Sequence, residues 1–194
     1  MKEIKQKDDL NNSSKLDLVL KKMNEPVITV SDVFKRLNIT RRQLIYFENI
    51  LFDKRKKSRW GKYSICDLLA MGIYVKARKL FEDADSNDQV RNFLGLRRTI
   101  SHSQDNLWRI IKGERTLLVV FEGDLLPHFY ASLQDLQENS PFEDGLNCIF
   151  HYGNYIRKVL RTICVNDFSA DVNKDGKVTF KIDGDKIEFD YETE

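Results

Sequence analysis

Apolar positions along the chain repeat with two different periods. Leu16, Val19, Leu20 and Met23 have helical spacing and predict a short helix over 16–23, which Pro26 ends. Residues 1–15 carry no such pattern. They contain Asn11-Asn12-Ser13-Ser14 and read as a flexible tail. Val33, Phe34 and Leu37 predict a second helix, with Ser31 as its N-cap. Asn38-Ile39 makes a tight turn, and Thr40 opens a third helix. Thr40-Arg41-Arg42-Gln43 has the spacing of a capping box, in which the two end side chains satisfy each other's backbone N–H groups. Leu44 and Phe47, three apart, face inward, while Arg41, Arg42 and Ile45 lie toward the other side. Ser64 and Asp67 repeat the capping-box spacing ahead of a helix that carries Leu68, Leu69, Gly72, Ile73, Lys76, Ala77 and Leu80.

The second half reads differently. Ser86 can cap a helix through Val90, Phe93, Leu94 and Leu96, and the cluster Leu107, Trp108, Ile110 and Ile111 is also helical. Residues 116–121 predict a strand, 122–124 a turn, and 125–132 a returning strand that Pro127 makes irregular or places at an edge. Residues 146–151 predict a further strand. Tyr155, Ile156, Val159, Leu160 and Ile163 predict a helix over 154–163. Residues 177–182 and 185–189 alternate apolar and polar around Asp183-Gly184, a strong hairpin signal. The expected fold class is α+β with antiparallel strands. Its expected divisions are a tail and short helix over 1–25, a helical module over 26–84, and a small α+β domain over 85–194.

Charge sharpens this division. The 194 residues carry a net charge of only +2. Yet residues 26–81 hold 13 Lys/Arg against 4 Asp/Glu, and residues 82–194 hold 13 against 21. A strongly basic module joined to an acidic remainder points to a polyanion as partner. Six of the eleven residues from Asp53 to Tyr63 are Lys or Arg. Gly61 supplies a turn there, and Trp60 and Tyr63 favour strands, so a short basic hairpin, a wing, is predicted. Two short helices around a tight turn are a helix-turn-helix unit, and its second helix turns basic side chains outward.

Helix-turn-helix, wing, and then a helix opening Tyr63-Ser64-x-x-Asp67-Leu68 resembles the DNA-binding domain of MerR-type transcriptional regulators. The resemblance covers about residues 28–81. It rests on Val30-Ser31-Asp32-Val33, Leu37-Asn38-Ile39-Thr40, and Arg42, Leu44, Tyr46, Phe47 and Glu48. Ile45 stands where the family usually has an arginine, and the wing reads Arg59-Trp60-Gly61-Lys62-Tyr63 instead of the usual order. The family's long dimerisation helix is not evident. The resemblance implies that Arg42, Tyr46 and the basic wing hold double-stranded DNA. From position and charge, Arg41, Arg42 and Gln43 lie nearest the bases, and Lys54, Arg55, Lys56, Lys57, Arg59 and Lys62 meet phosphates. The expected assembly is a homodimer joined through residues 86–112, whose Phe93, Leu94, Leu96 and Trp108 exceed the needs of one helical face. RNA polymerase is a further partner that a transcriptional role would bring.

Other chemistries find less support. Asp171-Val172-Asn173-Lys174-Asp175-Gly176 matches the first half of a calcium loop, but Ile182 stands where a bidentate Glu is needed. Cys66, Cys148 and Cys164 are widely separated, as are His102, His128 and His151, so no metal is expected. The odd cysteine count fits a reducing cytoplasm. No motif of a hydrolase, P-loop or dinucleotide site occurs, so no catalysis and no cofactor are expected. No apolar run approaches the roughly 18 residues of a membrane span. Alternatives to a regulator are an architectural or excision factor of a mobile element, and an adaptor whose basic face meets an acidic protein.

Overall fold

The computed structural model of this chain describes residues 2–50, 62–76, 97–98, 100, 107–109, 117–121, 128–130, 133–139, 146–165, 167–172 and 177–190. Within these, helices and antiparallel sheets are mixed, as α+β requires. Helix α1 spans Lys2–Met23. It starts well before the predicted residue 16, through the stretch read as a flexible tail. That stretch has no Pro or Gly and carries four Lys, good helix formers that let a helix propagate once Leu16, Val19 and Met23 are anchored.

Strand β1 (Ile28–Thr29) leads directly into α2 (Val30–Leu37). The N-cap of α2 is Thr29, not Ser31. Thr29 has extended dihedrals (φ −80°, ψ 160°), as an N-cap needs, whereas Ser31 is already helical. Asn38 ends the helix in the left-handed region at φ 52°, a conformation Asn tolerates better than most residues. α3 (Arg41–Ile50) follows. Strand β2 (Lys62–Tyr63) pairs antiparallel with β1, matching Ile28 with Tyr63 and Thr29 with Lys62. α4 (Ile65–Lys76) is buried without interruption from Ile65 to Tyr74. Residues 97–98, 100 and 107–109 are helical.

The remaining strands form two sheets. β3 (Leu117–Phe121) lies between β4 (His128–Tyr130) and β5 (Leu146–His151), with an irregularity at Val120/Phe121. Of the returning strand expected over 125–132, three residues pair in the described part. Helix α5 (Leu133–Asn139), unpredicted, follows it. α6 (Tyr152–Thr162) then leads into a sheet of order β6 (Cys164–Val165), β7 (Phe168–Val172), β8 (Lys177–Ile182), β9 (Asp185–Asp190). β6 and β7 lie where the sequence reading assigned no element. Asp183 (φ 52°) and Gly184 (φ 92°) make the two-residue turn of the β8–β9 hairpin, as the alternation and the Asp-Gly pair predict.

One apolar core joins α1, α2, α4, α6 and the inner faces of β7, β8 and β9. The boundary expected near residue 84 lies outside the described residues, and the core draws on elements from both sides of it. Gly72 makes the closest approach possible. A Cβ placed there would lie 1.7 Å from Tyr155 Oη, so the Tyr155 side chain of α6 reaches the α4 backbone. Leu117, Val119, Tyr130 and Leu136 form a separate small cluster under the three-stranded sheet.

Candidate nucleic-acid interface

Hydrogen bonds to side chains set the ends of α2 and α3. The Thr29 N–H donates to Asp32 Oδ2 at 3.2 Å, and the Asp32 N–H donates back to Thr29 Oγ1 at 3.2 Å. The Thr29 hydroxyl also donates to Asp32 Oδ2 at 2.7 Å. That bond holds the Asp32 carboxyl below its ordinary value. The signal Thr-x-x-Asp is present in the sequence two residues before the residue chosen there as cap. At α3 the predicted box forms. The Thr40 N–H donates to Gln43 Oε1 at 2.8 Å, and the Gln43 N–H donates to Thr40 Oγ1 at 3.3 Å.

Leu44, 3% exposed, anchors α3 to the core, and Ile39 is buried in the turn before it. With those two fixed, the first turn of α3 carries Arg41 and Arg42 exposed. Ile45 is 46% exposed on the same helix. The Gln43 carboxamide oxygen is engaged by the cap, so this residue shapes the turn as well as lying within it. Tyr46 lies in α3. Lys62 is exposed on β2, opposite Thr29. Lys54, Arg55, Lys56, Lys57 and Arg59 lie outside the described residues, as does most of the predicted wing. The one described part of it, β2, pairs with β1, so the ribbon closes onto the start of α2.

The next helix starts by the same rule in a buried setting. The Asp67 N–H donates to Ser64 Oγ at 3.0 Å and the Ser64 N–H to Asp67 Oδ2 at 3.0 Å. Arg97 Nε donates to the other carboxylate oxygen at 2.6 Å. Arg36 donates to the Thr162 carbonyl at 3.2 Å, so this basic side chain ties α2 to the last turn of α6, where a cation is favoured. Charge alone gave no sign of that role.

Several other expectations change in three dimensions. Trp108 lies 5.3 Å from Phe189, and Leu107 and Ile100 are buried in the main core. These residues of the expected dimer segment therefore serve the chain's own packing. Phe93, Leu94 and Leu96 lie outside the described residues. Asp171 sits exposed on β7 opposite Thr179, and Ile182 is 3% exposed on β8, the strand paired with it, while Asn173, Lys174, Asp175 and Gly176 lie outside the described residues. Burial pushes the Cys66 thiol up to about 12, the mark of a packing residue. Cys164 is exposed on β6, and Cys148 lies on β5. His128 lies on β4 and His151 is exposed at the end of β5, while His102 falls outside the described residues. Among the described residues no group of three or more His, Cys, Asp or Glu is placed to hold a metal ion. No described helix is long and apolar enough to cross a membrane. Comparison with protein-family models, curated proteins and solved structures finds no match to this chain.

Proposed function

We propose that this chain is a sequence-specific transcriptional regulator that binds double-stranded DNA through a MerR-like helix-turn-helix and wing and acts as a dimer. The observation that carries this reading is the first turn of α3. Its cap is internally satisfied, Leu44 holds it to the core, and Arg41 and Arg42 project from it exposed. A recognition helix reads DNA from its N-terminal residues, and arginine is suited both to guanine edges and to phosphates. Lys62 and the basic run that precedes it in sequence supply charge for the backbone.

Selection of bound sequences from random duplex DNA tests the reading, with Arg42→Ala as control and affinity followed over a salt series. A two-fold consensus lost in Arg42→Ala is the expected result. If Arg42 meets a phosphate, its removal also lowers the slope of log affinity against log salt by about 0.9. Tight binding without any consensus would replace the regulator with an architectural role. Absence of binding at low salt would end the DNA reading.

A further inference from the structure

β9 is the outer strand of its sheet, and among the described residues no strand pairs with its free edge. The turn at Asp183-Gly184 decides which peptide groups that edge shows. In a two-residue hairpin the flanking residues, here Ile182 and Asp185, exchange their N–H and C=O bonds. Alternation along the ladder then turns the N–H and C=O of Lys186 and Glu188 away from β8. Lys15 of α1 agrees with this, since its ammonium reaches the Glu188 carbonyl oxygen at 3.5 Å. That contact is long, and a strand N–H could take its place.

A groove of about 400 Å³ runs beside this edge, lined by Ser14, Lys15 and Leu18 of α1 and by Lys186, Ile187 and Glu188 of β9. α1 is held along the hairpin at its other end by Lys22, whose ammonium lies 2.8 Å from the Asp183 carboxylate. Leu18, 46% exposed, is the apolar wall of the groove. A helix beside an open strand edge is a geometry that accepts one more extended strand. We propose that the strand is β9 of a second copy of this chain, added antiparallel about a two-fold axis at Ile187.

Charge and register select this occupant. With the axis at Ile187, Lys186 stands opposite the partner's Glu188, and Glu188 opposite the partner's Lys186. Both are positions whose peptide groups face outward, so each pair exchanges two backbone hydrogen bonds. Lys186 and Glu188 already attract each other along the strand at 2.6 Å, with side chains 57% and 58% exposed. Moving the axis to Glu188 would set two carboxylates face to face. Moving it by half a step would bring mismatched peptide groups together. At the axis the two Ile187 residues form a non-hydrogen-bonded pair, the closer kind, beside the two copies of Leu18. The inference does not rest on DNA binding; it supplies a two-fold symmetry that a palindromic site would match.

Sedimentation equilibrium of the full chain over a concentration series tests it, with far-UV circular dichroism reporting the fold. The wild-type chain is expected to dimerise. Lys186→Glu and Glu188→Lys each set like charges opposite each other twice per dimer and weaken association roughly tenfold or more. The double swap, Lys186→Glu with Glu188→Lys, restores opposite pairs and is expected to regain wild-type association. Leu18→Ser, at a position exposed in the single chain, is expected to weaken the dimer without loss of helix. A monomeric wild-type chain overturns the proposal and leaves the edge to a strand from another protein. Single variants that associate like wild type overturn it equally. Failure of the DNA selection leaves every one of these outcomes intact.

Discussion

α3 and α4 begin with the same chemistry and end in opposite environments. Each opens on a hydroxyl that accepts from the backbone N–H three residues on, and a side-chain oxygen there accepts the return bond. Yet α3 shows Arg41, Arg42 and Ile45 to solvent, while α4 is buried on every face through Tyr74. A cap specifies where a helix starts and says nothing of what it meets. α4 is covered by the core elements around it, including the Tyr155 side chain of α6 at Gly72, whereas α3 is attached to that core through Leu44. The first helix is arranged for display and the second as an axle of the fold.

Gly72→Ala is the sharpest way to break this contrast. In an exposed helix the change would stabilise by up to about 1 kcal/mol. Here the added methyl meets Tyr155 Oη, so thermal or urea unfolding should show a loss of about 3 kcal/mol, with part regained when Tyr155→Leu is combined with it. A neutral Gly72→Ala would mean that the Tyr155 side chain does not reach the α4 backbone in solution. Burial also pushes the Tyr155 hydroxyl up to about 12, so its ultraviolet titration should come later than that of an exposed tyrosine.

The two capping boxes offer a matched test of the next size. Asp67→Ala removes a cap acceptor and leaves Arg97 without its 2.6 Å partner in a largely buried place, for a cost of about 2 kcal/mol. Thr40→Ala, at an exposed cap, should cost about 1 kcal/mol. Equal costs in denaturant melts would show that burial does not separate the two sites. Arg42→Ala should leave stability within about 0.5 kcal/mol, because its exposed side chain is not part of the core. Any effect it has therefore falls on a partner.

A further small effect is that of pH on α2. The Asp32 carboxyl is held low in the folded chain, so its contribution is present above the ordinary carboxylate value and is lost as pH falls through the lowered one. Asp32→Asn should flatten that acid limb of the stability profile, costing up to about 1 kcal/mol at neutral pH and converging with wild type in acid. A profile identical in wild type and variant would mean the Thr29–Asp32 box is not formed in solution.

Local rules carried the sequence reading where the interaction was local. The boxes at Thr40 and Ser64, the turn at Asn38 and the β8–β9 hairpin all depend on residues within a few positions of each other. Their signals are short because their physics is short. The Ser31 assignment failed within the same rule, since two candidate hydroxyls lie two residues apart and only backbone dihedrals choose between them. Strand β6 was illegible because Cys164–Val165 is too short for a period, whereas Phe168–Val172 alternates apolar and polar over only five residues, a short strand signal that was passed over. Of the candidate interface, Arg41, Arg42 and Lys62 could be read from charge and helical spacing. Arg36 could not be told from them until its carbonyl partner on α6 was seen.

By itself, then, the sequence determined the caps, the turns, the hairpin register and the segregation of basic charge into residues 26–81. Each is fixed by the chemistry of neighbours along the chain. Only the tertiary structure decided that α1 and α4 share a core with β8 and β9, that Trp108 packs on Phe189, and that the outer edge of β9 lies beside Leu18, with no strand paired to it among the described residues. Apolar periodicity marks which face of an element seeks cover. It carries no label for the partner, because hydrophobic attraction has no direction of its own, and shape and close approach at positions such as Gly72 make the choice.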